Sequence, residues 1–405
     1  MMLFFPITSF VLLPAVQGTT IITILVTGMF ALIIALPAGA NKWLFIKELF
    51  VFLIVFALFS VISQFLNLLN HVPLNAGLLL VNSGQYLDDF YRGSHLTQAL
   101  YLIIAYIVYL AVKYFADDSV IKYIYWGLRV FCLYGLYEVF FYFATGMKGD
   151  FITNRQFGEN SASLIQTAPI PGLRLIRMKS LTGEPSMFAF SVFPFWALSY
   201  GLKRKFDQSL LFFCLMLTFS TTAYGAMVLF HFAWFLYKKR YKQIIYVLLA
   251  VLLVLAALQI DAIQEKASSI YDSVFGNKLD SGSGRSRSGK IENHFGFWLQ
   301  LSTWSRAFGI GFGYIRSTDF ITTLLVNNGW IGVLTFSGFF FYNRSLKATS
   351  RDLAFAYYAG LIILFLIMMA SVPEFAYPSL WIYLALSFVM DKFKFLNEQS
   401  NTSKL

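Results

Sequence analysis

FIKELFVFLIVFALFSVISQFLNL, Phe45 to Leu68, decides the fold: from Leu49 to its end no charged residue interrupts it. Wound as a helix, it is long enough to cross the ~30 Å hydrocarbon layer of a bilayer. Further apolar windows of this kind fall near 2–17, 20–38, 97–115, 120–145, 186–202, 207–220, 222–238, 243–260, 320–342, 353–371 and 377–390. With the opening stretch they make twelve expected spans. The two around Ser220-Thr221-Thr222 are short and abut, so a re-entrant pair or one broken helix would leave eleven or ten. The first window, Met2 to Val16, lacks a basic start and a small-residue cleavage site, and reads as a retained span.

Composition excludes the soluble classes. The chain is 58% hydrophobic and only 13% charged, with a mean hydropathy of +0.66, so it lacks the polar residues to cover a water-facing surface. The expected fold is an all-α polytopic membrane protein, one integral domain over residues 1–405 with ten to twelve spans. A net charge of +11 in so apolar a chain belongs beside anionic headgroups and gives no case for nucleic acid. Cys132 and Cys214 both lie inside apolar runs, so neither a disulfide framework nor a thiolate metal site has support.

Lys and Arg collect in short connections at 203–205, 238–242, 344–351 and 392–394, which marks those ends as cytoplasmic. Three long polar connections, about 69–96, 146–185 and 261–319, then face outward. The two larger ones carry Arg155, Arg174, Arg177 and Lys179, and Arg285, Arg287, Lys290, Arg306 and Arg316. Cations on the outer side argue against the usual charge bias, and such cations commonly hold an anion. Translocation of long loops regardless of charge, or snorkelling of arginines to lipid phosphate, is the plainer alternative.

Within the third loop, Ile263, Ala267, Ile270, Val274 and Phe275 recur at helical spacing and predict an amphipathic helix over 261–276. SGSGRSRSG, Ser281 to Gly289, reads as a mobile tether for Arg285 and Arg287. From Lys290 the series Ile291, Phe295, Trp298 and Leu301 is helical again, which makes this loop partly folded. His294 on that helix is either a plain polar residue or a proton-exchanging group near neutral pH. GIGFG, Gly309 to Gly313, lacks the strand–turn–helix context of a nucleotide fingerprint and reads as a flexible turn.

In the second loop, Thr182-Gly183-Glu184-Pro185-Ser186 is a helix start, Pro185 being preorganised for the first helical position. The positive end of that helix would face Arg174 and Arg177. Glu184 either caps the helix or, held ionised by those cations, orients an arginine or accepts a proton. Asp88 and Asp89 in the first outward loop are a third acid–base option, with a solvated loop start as the plainer reading.

SLTGEPSMFAF after a basic loop, then a GR-containing loop, WSRAFGIGFG and ITTLLVNNGWIGVLTF resemble the Wzy family of O-antigen polymerases, mainly over 170–340. Arg285, ten residues and Gly296 also fit an arginine–glycine pattern associated with that family, whereas no copy starts at Arg174 or Arg177. The resemblance implies a GT-C-like glycosyltransferase at the outer face of the cell inner membrane. Its substrate would be an oligosaccharide repeat unit on undecaprenyl pyrophosphate. It would be surrounded by membrane lipids and leave chain-length control to a separate regulator protein. No cofactor is expected, and apart from the Asp88-Asp89 pair no outward His/Asp/Glu cluster has the spacing of metal ligands. Arg174, Arg177, Arg285 and Arg287 are then the pyrophosphate ligands, and Glu184 and His294 the candidate bases. O-antigen ligases carry a histidine near the start of the span after the large loop, where this chain has Ser317-Thr318-Asp319-Phe320. A transporter would instead exploit ionisable residues within spans, here Arg129, Glu138 and His231. Arg129 and Glu138, nine residues apart, fall on roughly opposite helix faces and are poor partners.

Overall fold

The computed structural model describes the chain apart from residues 15–17, 71–76, 82–90, 156–164, 168–174, 244, 247–248, 250–281, 343–345, 347–349 and 403–405; over 282–287 and 392–402 only the backbone is described. The described residues form helices and no strand: α1 (Ile21–Ala35), α2 (Ala40–Asn70), α3 (Gly93–Phe115), α4 (Ser119–Thr145), α5 (Pro185–Gly201), α6 (Lys205–Met216), α7 (Thr221–Tyr237), α8 (Gly282–Gln300), α9 (Thr303–Phe308), α10 (Phe320–Phe341), α11 (Arg351–Ser371) and α12 (Pro378–Thr402). Five of them, α2, α3, α4, α10 and α11, are long and apolar enough to span a bilayer, and α1 and residues 378–391 of α12 are shorter apolar helices. The protein is an α-helical membrane protein.

Over its described residues, 2–14, the first window is not a helix. Met1 to Pro6 form turns closed by Phe4 N–H to Met1 O and Ile7 N–H to Phe4 O, both 3.0 Å, and Val11 then pairs with Thr20 in an antiparallel bridge. Pro6 and Pro14 explain this, since each lacks the N–H a helix needs and crowds the preceding turn. The first helix starts where Thr20 caps it, its hydroxyl accepting from Thr23 N–H. At the other doubtful junction the chain breaks: α6 ends at Met216 and α7 begins at Thr221. Between them Thr218 turns its hydroxyl back to Leu215 O at 2.6 Å, and Phe219 adopts φ +46.

The contacts group the chain into two compact units interleaved in sequence. The first comprises 1–127, 288–350 and 368–405, the second 128–287 and 351–367. In the second, α5 is buried along its whole length except Tyr200, and α6 and α7 pack against it. Trp196, at 0% exposure, meets the rings of Phe230 and His231 edge-on. Aromatic bulk on all sides makes this helix the core of its unit.

In the first unit α3 packs on α2 and α12, and α9 lies against α2 and α10. α10 is kinked at Gly329, whose φ is +64. A side chain there would strike Ala307 O at 2.2 Å, and one at Gly309 would meet the Asn327 backbone at 2.3 Å. The kink frees carbonyls of α10, and GIGFG takes them up: Ile310 N–H bonds Val326 O at 2.9 Å and Gly311 N–H bonds Asn327 O at 2.8 Å. GIGFG is therefore a packed, hydrogen-bonded turn and not a flexible one. Its glycines supply positive φ and close approach together.

SGSGRSRSG also departs from expectation. Gly282 to Gly289 continue α8 as helix, so Arg285 and Arg287 sit on helical backbone and not on a tether. Once the turn carrying Phe297 and Leu301 is anchored in the core, extending a helix backward needs no new nucleus. The helix expected at 261–276 lies outside the described residues.

Candidate functional site

Lys179, Ser180 and Thr182 organise the loop that enters α5. Lys179 is 1% exposed, and its Nζ lies 2.6 Å from Asp150 Oδ2 and 3.7 Å from Glu138 Oε1. It ties the loop to the end of α4. Ser180, at φ +50, donates to Phe131 O at 2.6 Å, and Thr182 donates to Lys179 O, also at 2.6 Å. A non-glycine residue held at positive φ by surrounding bonds is the kind of backbone strain that collects at functional sites.

Upstream, the loop lies along the break between α6 and α7. Met178 N–H bonds Leu217 O at 2.9 Å, and Arg177 Nε bonds Thr218 O at 3.1 Å. Arg177 Nη1 also donates to Gln166 Oε1, and its backbone N–H to Gln166 O at 2.8 Å. The break between α6 and α7 thus presents one carbonyl, Thr218 O, to the guanidinium. From Ile176 to Ser199 every side chain is buried except those of Arg177 and Glu184, which are half-buried.

Glu184 is the residue before the first turn of α5, with Pro185 in the first helical position. Its carboxylate makes no capping bond to the backbone; Oε1 instead accepts from Ser186 Oγ at 2.6 Å. Of the two roles read from the sequence, the side-chain cap is absent. A carboxylate at a helix N-terminus sits in the favourable end of the dipole.

Arg174, Asp88 and Asp89 lie outside the described residues, and so do the side chains of Arg285 and Arg287. His294 is described and buried, at 0% exposure. Its Nδ1 donates to Lys290 O at 2.6 Å and its Nε2 accepts from Leu79 N–H at 3.2 Å. Burial pushes the imidazole below its ordinary pKa, which keeps it neutral with the proton on Nδ1. Neither the plain polar residue nor the proton-exchanging group read from the sequence fits this buried position. The lone pair a general base needs is occupied, and the ring joins α8 to the segment at Leu79. Arg316, another arginine of a loop expected to face outward, forms an ion pair with Glu374.

The ionisable residues within spans are partnered. Arg129 meets Asp207 through Nε–Oδ1 at 2.7 Å and Nη2–Oδ2 at 3.1 Å, and Arg204 adds a bond to the same carboxylate at 2.7 Å. Arg129 and Glu138 have separate partners, as their spacing predicts. His231 bridges Met227 O and Tyr200 Oη, both at 3.0 Å. The Arg129–Asp207 pair and the His231 bridge are closed in the way structural groups are. Glu138, by contrast, has only the 3.7 Å ion pair to Lys179 and no hydrogen bond to its carboxylate.

Sequence reasoning missed a second polar cluster, in the first unit. Gln64 and Asn67 on α2 and Arg92 before α3 converge on one carbonyl, Ile310 O, and His95 on the first turn of α3 meets Gln64 and Arg92. Arg92, 3% exposed, also bonds Gln64 Oε1 at 3.1 Å and lies 3.8 Å over the Tyr314 ring. The signal available was a pair of polar side chains, three residues apart, near the end of an apolar window. No family model matches this chain, and neither a curated protein nor a solved structure does.

Proposed function

We propose that this protein is a membrane glycosyltransferase of GT-C-like architecture with ten to twelve spans. It would polymerise undecaprenyl-pyrophosphate-linked oligosaccharide repeat units on the outer side of the cell inner membrane. The observation that carries the reading is the exposure pattern of the loop entering α5. In a run otherwise wholly buried, the side chains left half-open are a guanidinium, Arg177, and a carboxylate, Glu184.

These are the two groups such a transfer needs. A sugar hydroxyl of one unit attacks the anomeric carbon of another. The new glycosidic bond forms as the bond to the lipid pyrophosphate breaks, and the pyrophosphate leaves with the electron pair. Arg177, fixed by Thr218 O, stabilises charge growing on that leaving group through paired N–H donors. Arg174, Arg285 and Arg287 complete the cationic set in this reading. Glu184 accepts the proton of the attacking hydroxyl. His294 acts at one remove, holding the arginine-bearing α8 to its support through Leu79.

The test is a polysaccharide gel of a deletion strain complemented by single variants. Arg177→Ala, Arg174→Ala, Arg285→Ala and Arg287→Ala are expected to insert normally yet leave single repeat units on the acceptor. Lys at the same positions is expected to rescue poorly, because it lacks the planar fork. Normal ladders from all four variants overturn the arginine assignment. For the deletion itself, one-unit products support a polymerase, long undelivered polymer a ligase, and absence of any unit outside a flippase.

A further inference from the structure

A cavity of about 390 Å³ lies in the first unit among α2, α3, α10 and α12, three of which are candidate spans. That volume falls within the roughly 300–1,000 Å³ range of ligand pockets. Its wall is apolar and largely aromatic, with Phe56, Tyr106, Phe336 and Trp381 among its residues, and none of the residues lining it is charged.

One polar group on this wall stands open. Asn328 is only 8% exposed, and its Oδ1 is buried without a hydrogen-bond partner. The kink at Gly329 interrupts the helix directly after it. Gly332, also on the wall, has no side chain with which to cover the amide, and a β-carbon there would collide with Asn328 Cβ. The indole across the same cavity offers no relief, because Trp381 Nε1 already donates to Phe375 O at 2.6 Å. An acceptor left open among apolar side chains costs stability unless something in the cavity donates to it.

We propose that the cavity binds one uncharged lipid alcohol, its chain among the aromatics and its hydroxyl donating to Asn328 Oδ1. Each property of this ligand follows from the wall. Three flanking spans make the bilayer its source, and the aromatic side chains call for an apolar body. The open acceptor calls for a donor, which a bare acyl chain lacks and a hydroxyl supplies without bringing a charge to desolvate. A wall with no cation gives a phosphate or diphosphate nothing to pair with, so the cavity does not suit the pyrophosphate end of a glycosyl donor. The site uses no residue assigned to glycosyl transfer and stands or falls apart from that assignment.

Full-length protein, purified in detergent and stripped of lipid, is titrated with tritiated farnesol, an uncharged alcohol on an isoprenoid chain. One saturable equivalent is expected. Farnesyl methyl ether, which keeps the chain and lacks the donor, is expected to compete about tenfold less well, the worth of one hydrogen bond. Farnesyl diphosphate is expected to compete more weakly than the alcohol as well. Asn328→Leu is expected to bring alcohol and ether to the same affinity. Because that change borders the Gly329 kink, its melting temperature is compared with that of the wild type, and unmodified protein is separately photolabelled with a diazirine-bearing farnesol. Labels are expected on peptides covering residues 52–59 or 331–339. Equal competition by alcohol and ether, a preference for the diphosphate, a preference for the alcohol that survives in Asn328→Leu, or labels on other spans and absent from these peptides each overturn the proposal.

Discussion

Glu184 and His294 show how neighbours decide a side chain's role. Glu184 stands at a helix start yet leaves the backbone N–H groups uncapped, so Glu184→Gln removes a charge without removing a cap. That variant is expected to lose no more than the roughly 0.3–1 kcal/mol of a charge at a helix end and to reduce chain extension at least about a hundredfold, the usual contribution of a general base. A larger loss of stability with normal ladders would make it a stabilising carboxylate instead. His294 has the opposite character. Its folded pKa lies below the unfolded value of about 6.5, so the unfolded state binds the proton more readily and stability falls as pH drops through that value. Protonation would put a second N–H against Leu79 N–H. Melting curves of purified protein between pH 7.5 and 5.5 are expected to show a loss on acidification that His294→Gln flattens; an unchanged slope in the variant would assign the effect to another group.

At the scale of elements, glycine placement controls whether α10 can accept the GIGFG turn. Gly329→Ala forces a β-carbon into Ala307 O in a left-handed conformation that alone costs about 1–2 kcal/mol. Gly338 on the same helix has open space, where Ala is expected to stabilise by up to about 1 kcal/mol. Opposite shifts in the melting temperature of the two variants check this; equal shifts would mean the kink carries no strain. The α6–α7 break illustrates the limits of reading elements from sequence. Its short abutting apolar runs were legible, but the loop laid across the break depends on Met178 and Arg177 reaching carbonyls about forty residues away. Pro6 and Pro14 are passed over when 2–17 is read as a span, and local chemistry there overrides apolar content.

For the molecule as a whole, the proposed orientation makes a direct prediction, since both native cysteines are buried and give little background labelling. Arg177→Cys is expected to react with a membrane-impermeant maleimide in intact spheroplasts, and Lys205→Cys only after permeabilisation. The reverse pattern removes the outward-facing site and, with it, the glycosyl-transfer proposal. Neither result bears on the interleaving of the two units, in which residues 288–350 and 368–405 belong with the N-terminal helices and 351–367 with the middle of the chain.

Hydropathy alone determined that this is a helical membrane protein and where most helices run, because burying twenty apolar residues in lipid leaves the backbone few other solutions. It also drew attention to the loop with Arg177 and Glu184, through cations in a connection expected to face outward. The partners came from tertiary structure alone. Lys179 with Glu138 and Asp150, Arg129 with Asp207, His294 with Leu79, and Gln64, Asn67 and Arg92 on Ile310 O all join residues distant in sequence. A buried polar group must find a partner, but its identity depends on which segments the packing brings within about 3 Å.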